Sequence, residues 1–177
     1  ATSATSATTA GTVTTAAQGN ITSVGTLTSL NSGAISSSGT VTGTSFVGIA
    51  TSARYADLAE KYTADAEYAP GTVVSFGGDA EVTASTDADT RVAGVVSTNP
   101  AFTMNNNLVA DHVVTVAFTG RVPCRVTGTV RKGDLMVSAG NGLARAEANP
   151  AAGTIIGKAL ANHDGAEGTI EVVVGRF

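Results

Sequence analysis

No ionisable side chain occurs in the first 53 residues: reading from Ala1, the first is Arg54, so all 24 Asp, Glu, Lys and Arg lie in the remaining 124 of 177 positions. In the uncharged part, 40 residues are Ala, Gly, Ser or Thr, three are amides (Gln18, Asn20, Asn31) and ten are larger apolar residues. Disordered chains are usually charge-rich and apolar-poor, whereas here Val, Ile, Leu and Phe recur every few residues. Ten such side chains, at roughly 1.5–3 kcal/mol each when buried, cannot offset roughly 1–2 kcal/mol of backbone entropy per residue in an isolated chain. If this segment is ordered, other chains complete its core.

Between Gln18 and Ile49 the runs Ile21–Val24, Thr26–Leu30, Ala34–Ser36, Thr40–Thr42 and Ser45–Val47 alternate with Gly or Asn-Ser-Gly breaks. That spacing predicts short strands and tight turns. Helix is disfavoured, because Thr, Ser and Gly each cost roughly 0.5–1 kcal/mol relative to Ala in a helix interior. Residues 1–53 are therefore read as a fibrous segment. Its narrow strip of Ile21, Leu27, Leu30, Ile35, Val41 and Phe46 buries against identical copies in an intertwined, threefold β-shaft. The competing reading is a flexible Ser/Thr/Gly linker, which rarely carries regularly spaced Ile, Leu and Phe.

Residues 54–71 differ in character. Tyr55, Leu58 and Tyr62 stand at i, i+3 and i+7 with Ala59 at i+4, which predicts a short junction helix over residues 53–61 with one apolar stripe. The stripe adds Tyr55, Leu58 and Tyr62 to the candidate trimer core. Asp57 and Lys61 form an i, i+4 pair on another face, and Asp57 and Glu60 read as solvated helix charges. Pro70-Gly71 closes the junction with a turn.

From residue 72 to 177 the pattern is β throughout. GTVVSFGG, EVTAST, RVAGVVST, HVVTVAFTGRVPCRVTG, DLMVSAG, GLARAE, GTIIGKAL and TIEVVVGRF are β-branched runs bounded by Gly, Asn or Pro. About eight strands at such short spacing favour a compact barrel or sandwich over βαβ units. Val113–Val116 and Val172–Val174 do not alternate strictly, which predicts strands covered on both faces. The fold class expected is all-β: an intertwined trimeric shaft, a short helical junction and a β-barrel or sandwich-like head.

NITSVGTLTSL and the Gly-punctuated runs after it resemble the shaft repeats of tail-fibre and appendage proteins of tailed bacteriophages. The later series RYADLAEKY, YAPGTVVSFGG, RVAGVVSTNPAF, FTGRVPCRV, VRKGDLMVSAGNGLARA, GTIIGKAL and TIEVVVGRF resembles the C-terminal domain of phage fibres, neck appendages and some bacterial surface proteins. It is also similar to the trimeric chaperone domain of certain phage appendages, often called peptidase G2. The resemblance spans about residues 18–177. It implies a homotrimeric virion component with a slender β-shaft leading into a β-rich head. Some relatives of the chaperone type cut themselves from the shaft, but no cleavage site here matches theirs.

The chemistry-bearing residues give little support to an enzyme. His112 and His163 each lack a metal-ligand neighbour at i+2 to i+4 and read as structural or surface groups. Cys124, the single cysteine, stands between Pro123 and Arg125 in a strand-like run and reads as a small buried hydrophobe rather than a nucleophile. It forms no intrachain disulfide. Asn99-Pro100 after GVVST reads as a turn, and Lys132-Gly133-Asp134 before LMV as a hairpin turn presenting charge to solvent. Glu81, Asp87 and Asp89, in a turn-rich stretch, read as solvated. Neither a cofactor nor a metal is expected. With no run of about 18 apolar residues, no membrane span is expected, and the absence of a Lys/Arg cluster argues against nucleic acid.

The function expected is that of a non-enzymatic, trimeric tail-fibre or appendage component of a phage virion. Its partners would be its own copies, other virion proteins through sequence preceding Ala1, and a glycan or protein of the host surface. The receptor-facing candidate is the loop Phe102, Asn105, Asn106 and Asn107. The alternatives are a self-cleaving intramolecular chaperone for fibre trimerisation, and a capsid decoration or surface structural protein.

Overall fold

A computed structural model describes residues 25–39, 41–43 and 57–175. The chain divides into two units, Ala1–Gly48 and Ile49–Phe177. Ile21, Phe46 and Tyr55 lie outside the described residues. In the described part of the first unit, Leu27, Leu30, Ile35 and Val41 are 52, 65, 70 and 57 % exposed. Among the described residues, the expected strands Thr26–Leu30 and Ala34–Ser36 do not form. What forms there is local, such as the bonds from Ser32 Oγ to the Ala34 carbonyl at 3.2 Å and from Ser37 Oγ to the Gly39 carbonyl at 2.9 Å.

The second unit holds ten strands: β1 (Asp57–Thr63), β2 (Val73–Phe76), β3 (Val82–Ala84), β4 (Val92–Val96), β5 (Phe102–Met104), β6 (Val113–Val126), β7 (Leu135–Gly140), β8 (Leu143–Ala146), β9 (Ile155–Ala159) and β10 (Gly168–Val174). No helix occurs among the described residues. The eight runs read as strands all are strands. The junction is not: residues 57–61, expected in a helix, belong to β1, which pairs antiparallel with β6 from Asp57↔Gly120 to Thr63↔Val113. The reason lies in the spacing. Leu58 and Tyr62 are four apart, an interval that keeps two side chains on one face of a helix and equally on one face of a strand. Ladder bonds and burial along a long neighbouring strand then decide against a weak local preference.

Strand β6, 14 residues long, organises the unit. Its first half pairs with β1 on one edge and β4 on the other, since Ala117 faces both Ala59 and Val95. Its second half pairs with β10 from Gly120 to Val126 and meets β8 in parallel at Val126↔Ala144. Because β10 also pairs with β9, the order β6-β10-β9-β7-β8 returns to β6 and closes a five-stranded barrel, which removes free edges. Strands β5-β1-β6-β4-β2-β3 make an open sheet on the same long strand.

Two cores result. The barrel core gathers Val122, Cys124, Val126, Met136, Ile156 and Val172 with Val73, Val95 and Ala117. The second core contains Val74, Val96, Val114 and Val116. Neighbouring residues 73 and 74, 95 and 96, and 116 and 117 thus face opposite cores, as the period of two dictates. Strands β2 and β4 are therefore covered on both faces, as β7 is over residues 136–138. Val113–Val116 and Val172–Val174 instead alternate between buried and half-buried, correcting the expectation for those runs. Close packing shows at Gly157 of β9, where an added Cβ would lie 1.9 Å from the Val173 carbonyl oxygen.

Candidate functional site

The open sheet and the barrel together frame a groove of about 350 Å³, within the size range of small-ligand sites. Strand β1 contributes Glu60 and Tyr62, β2 Phe76, β5 Met104, β6 Val116 and Phe118, and the barrel Ile155, Ile156, Val174 and Gly175. The Tyr62 and Phe76 rings meet edge to face, with centroids 5.5 Å apart and planes at 76°, an arrangement worth about 0.5–1.5 kcal/mol beyond area burial. The Tyr62 hydroxyl donates to Glu60 Oε2 at 2.8 Å. Burial pushes the Tyr62 phenol up to about 12, helped by that hydrogen bond and by the charges of Glu60 and Glu81. The phenol is therefore a fixed donor near neutral pH. The groove offers aromatic surface and, among its described lining residues, a single charged group, Glu60. Such a site suits an apolar group flanked by a cation.

Sequence reasoning placed Leu58 and Tyr62 in a helix and Phe102 in a loop. The structure brings the first and last side by side, because β1 and β5 run parallel with Leu58↔Phe102 and Glu60↔Met104 in register. The loop expected over residues 102–107 is thus strand β5 followed by a turn at the three asparagines. Asn105 adopts a left-handed φ of 52°, which Asn tolerates better than most residues. Its Nδ2 donates to the Lys61 carbonyl at 3.1 Å, and Lys61 Nζ donates to the Asn106 carbonyl at 2.9 Å. Asn105 is therefore a tie to β1, while Asn106 and Asn107 stand exposed.

Two carboxylates read as solvated are buried. Asp57 accepts the Ser97 hydroxyl at 2.6 Å. Asp89 accepts the Arg91 amide at 2.9 Å and its guanidinium Nε at 3.2 Å, and its own amide donates to Ser138 Oγ at 2.9 Å. Burial pushes the Asp89 carboxyl up, but the bonds from Arg91 and Ser75, with the Arg91 charge, outweigh it and hold the group below the usual carboxylate range. Cys124 lies in the barrel core, where burial pushes its thiol up to about 12. A turn does form at Lys132-Gly133, with Asp134 Oδ2 accepting the Arg131 amide at 2.8 Å, but it is not the hairpin expected, because β6 and β7 on either side of it pair with other strands. The aromatic groove itself escaped sequence reading, since its described walls come from seven separate strands.

No family model matches the chain, and no curated protein matches it. Among solved structures the chain is similar to the C-terminal fragment of gene product 12 of bacteriophage phi29, with a TM-score of 0.51 and 13 % identity. The match covers 67 % of this chain and 99 % of that fragment. At this identity the likeness is one of fold.

Proposed function

We propose that this chain is a structural component of a phage virion: a trimeric fibre or appendage subunit in which residues 1–53 form the shared shaft and the β unit forms the head. The observation that carries the reading is the all-β fold of the second unit, similar over nearly the whole of a phage gene product 12 C-terminal fragment. It is supported by a first unit whose four described large apolar side chains are each more than half exposed in one chain. Exposed apolar strips of this kind mark surfaces completed by other chains. The role is mechanical and adhesive. Copies of the shaft segment hold three chains in register, and the Asn106-Asn107 turn, exposed and braced from β1, presents amides to a host-surface glycan or protein.

The test is the mass in solution together with the place in the particle. Light scattering at micromolar concentration is expected to return three times 17.4 kDa, and gold-labelled antibody against the β unit is expected to decorate the outside of the virion. A monomer that stays ordered through residues 1–53 would overturn the shaft. An intact chain by mass spectrometry after expression and storage is expected, and a discrete truncated product would favour the self-cleaving chaperone instead.

A further inference from the structure

The walls of the aromatic groove narrow what can sit in it. Its described lining residues all belong to the second unit. Tyr62, Phe76 and Phe118 bring rings, Met104 a thioether, and Glu60 is the single charged group among them. We propose that the groove is a binding site for a small organic cation of the choline type, its trimethylammonium group held against these rings and beside the Glu60 carboxylate.

Charge fixes the sign of the ligand. No Lys, Arg or His stands among the described lining residues to offset Glu60. Lys61, next in sequence, faces the other side of β1 by the period of two, and its Nζ donates to the Asn106 carbonyl at 2.9 Å. The charges of Glu60 and Glu81 both bear on the Tyr62 phenol, so the potential at that end of the groove is negative. Hydrogen bonding then selects the kind of cation. A primary ammonium brings three N–H donors, whereas the strong side-chain acceptors of the described lining are the Glu60 carboxylate and the Tyr62 oxygen, already joined to each other at 2.8 Å. Donors left over would be desolvated without partners. A trimethylammonium group has no N–H to satisfy and spreads its charge over methyl groups, which suit apolar walls and aromatic faces. Geometry agrees: the Tyr62 and Phe76 rings meet at 76° with centroids 5.5 Å apart, forming a corner rather than a flat stack, and Phe76 keeps 46 % of its surface exposed.

The chain contains two methionines, and they make the test direct. Met104 lines the groove, whereas Met136 is wholly buried in the barrel core and serves as the control. With ¹³C-methyl methionine in the full chain, choline chloride is expected to displace the Met104 methyl resonance saturably and to leave Met136 in place, against a reference holding equal sodium chloride. The uncharged isostere tert-butylethanol, with carbon in place of the nitrogen, is expected to bind at least about tenfold more weakly, because the attraction to the rings and to the carboxylate is lost together. Glu60→Gln is expected to weaken choline by roughly tenfold and to leave the alcohol where it was; Phe76→Leu is expected to weaken choline as well, with Met136 reporting that each variant is folded. The two ligands compared on the unaltered chain decide the matter without any substitution. A Met104 resonance that stays still in tens of millimolar choline overturns the proposal, and so does equal binding of choline and the alcohol, which would make the groove a plain apolar site.

Discussion

Gly157→Ala probes the tightest contact in the barrel. Gly157 lies between Met136 of β7 and Val174 of β10 in the ladder, and an added Cβ would sit 1.9 Å from the Val173 oxygen and 2.8 Å from its carbonyl carbon. Neither neighbour can step aside cheaply, because Val173 is itself in register with Lys158 on one side and Arg121 on the other. Overpacking of this kind costs typically about 1–3 kcal/mol, and backbone obstruction puts this site at the upper end. Against it, replacing Gly by Ala lowers the entropy of the unfolded chain, a gain of about 0.4–1 kcal/mol. The net loss is then about 2 kcal/mol, which for a unit of this size lowers Tm by roughly 6–10 °C. Gly39→Ala, where an added Cβ meets nothing within 4 Å, serves as the control. Both are to be melted at one protein concentration by near-ultraviolet circular dichroism. A Gly157→Ala protein melting within about 2 °C of the parent would refute the close approach of β9 to β10.

Of the three tyrosines, Tyr62 is expected to ionise at about 12 in a spectrophotometric titration, and Glu60→Gln is expected to move that step down by removing a neighbouring negative charge. Asp89, held below the usual carboxylate range in the fold, contributes stability that is complete above the unfolded carboxyl's pKa of about 3.9 and is lost as pH falls through the lower folded value. Asp89→Asn is accordingly expected to flatten the fall in unfolding free energy below about pH 4, as measured by urea titration at successive pH values. Cys124, fully buried and with its thiol pushed up to about 12, is expected to ignore a water-soluble disulfide reagent until denaturant is added; prompt reaction in the native state would contradict its place in the barrel core.

What could be read from the sequence and what could not differ in a physical way. Runs such as Ile155–Ala159 and Gly168–Val174 announce themselves because β-branched residues between Gly-rich breaks have few other local options. Strand β5 offers only three residues before the asparagines, too few for a period to show. Strand β1 offered a period shared by helix and strand, and its partner, β6, lies some 50 residues away. The groove is less legible still: Glu60, Phe76, Met104 and Phe118 come together only after β1, β2, β5 and β6 have paired. Burial of Asp57 and Asp89 depends on Ser97 and Ser138, partners 40 and 49 residues distant, so no local reading could tell them from solvated charges.

One residue of β6 decides which way the two halves of the strand face. Ala117 faces the barrel core, and so do Val122, Cys124 and Val126; an uninterrupted strand with Ala117 inward would have sent Arg121, Pro123 and Arg125 inward instead. The parity changes because β1 steps from Leu58 to Ala59 while β6 steps from Thr119 to Ala117, leaving Phe118 as the extra residue of a β-bulge. The bulge does two things: it aims Phe118 into the groove, and it turns the second half of β6 so that its apolar residues close the barrel. Deleting Phe118 and replacing it are therefore expected to differ sharply. Phe118→Ala keeps the residue count and loses side-chain contacts, so it should remain folded with reduced stability. Removal of Phe118 slips one half of the strand against the other by a single position, which carries every side chain of that half to the opposite face. Either Arg121 and Arg125 are driven into the barrel or Val114 and Val116 leave the second core. Proteolysis under native conditions separates the outcomes: the substituted protein should resist and the deleted one should be digested throughout. Equal resistance of the two would mean that the bulge does not set the facing of β6.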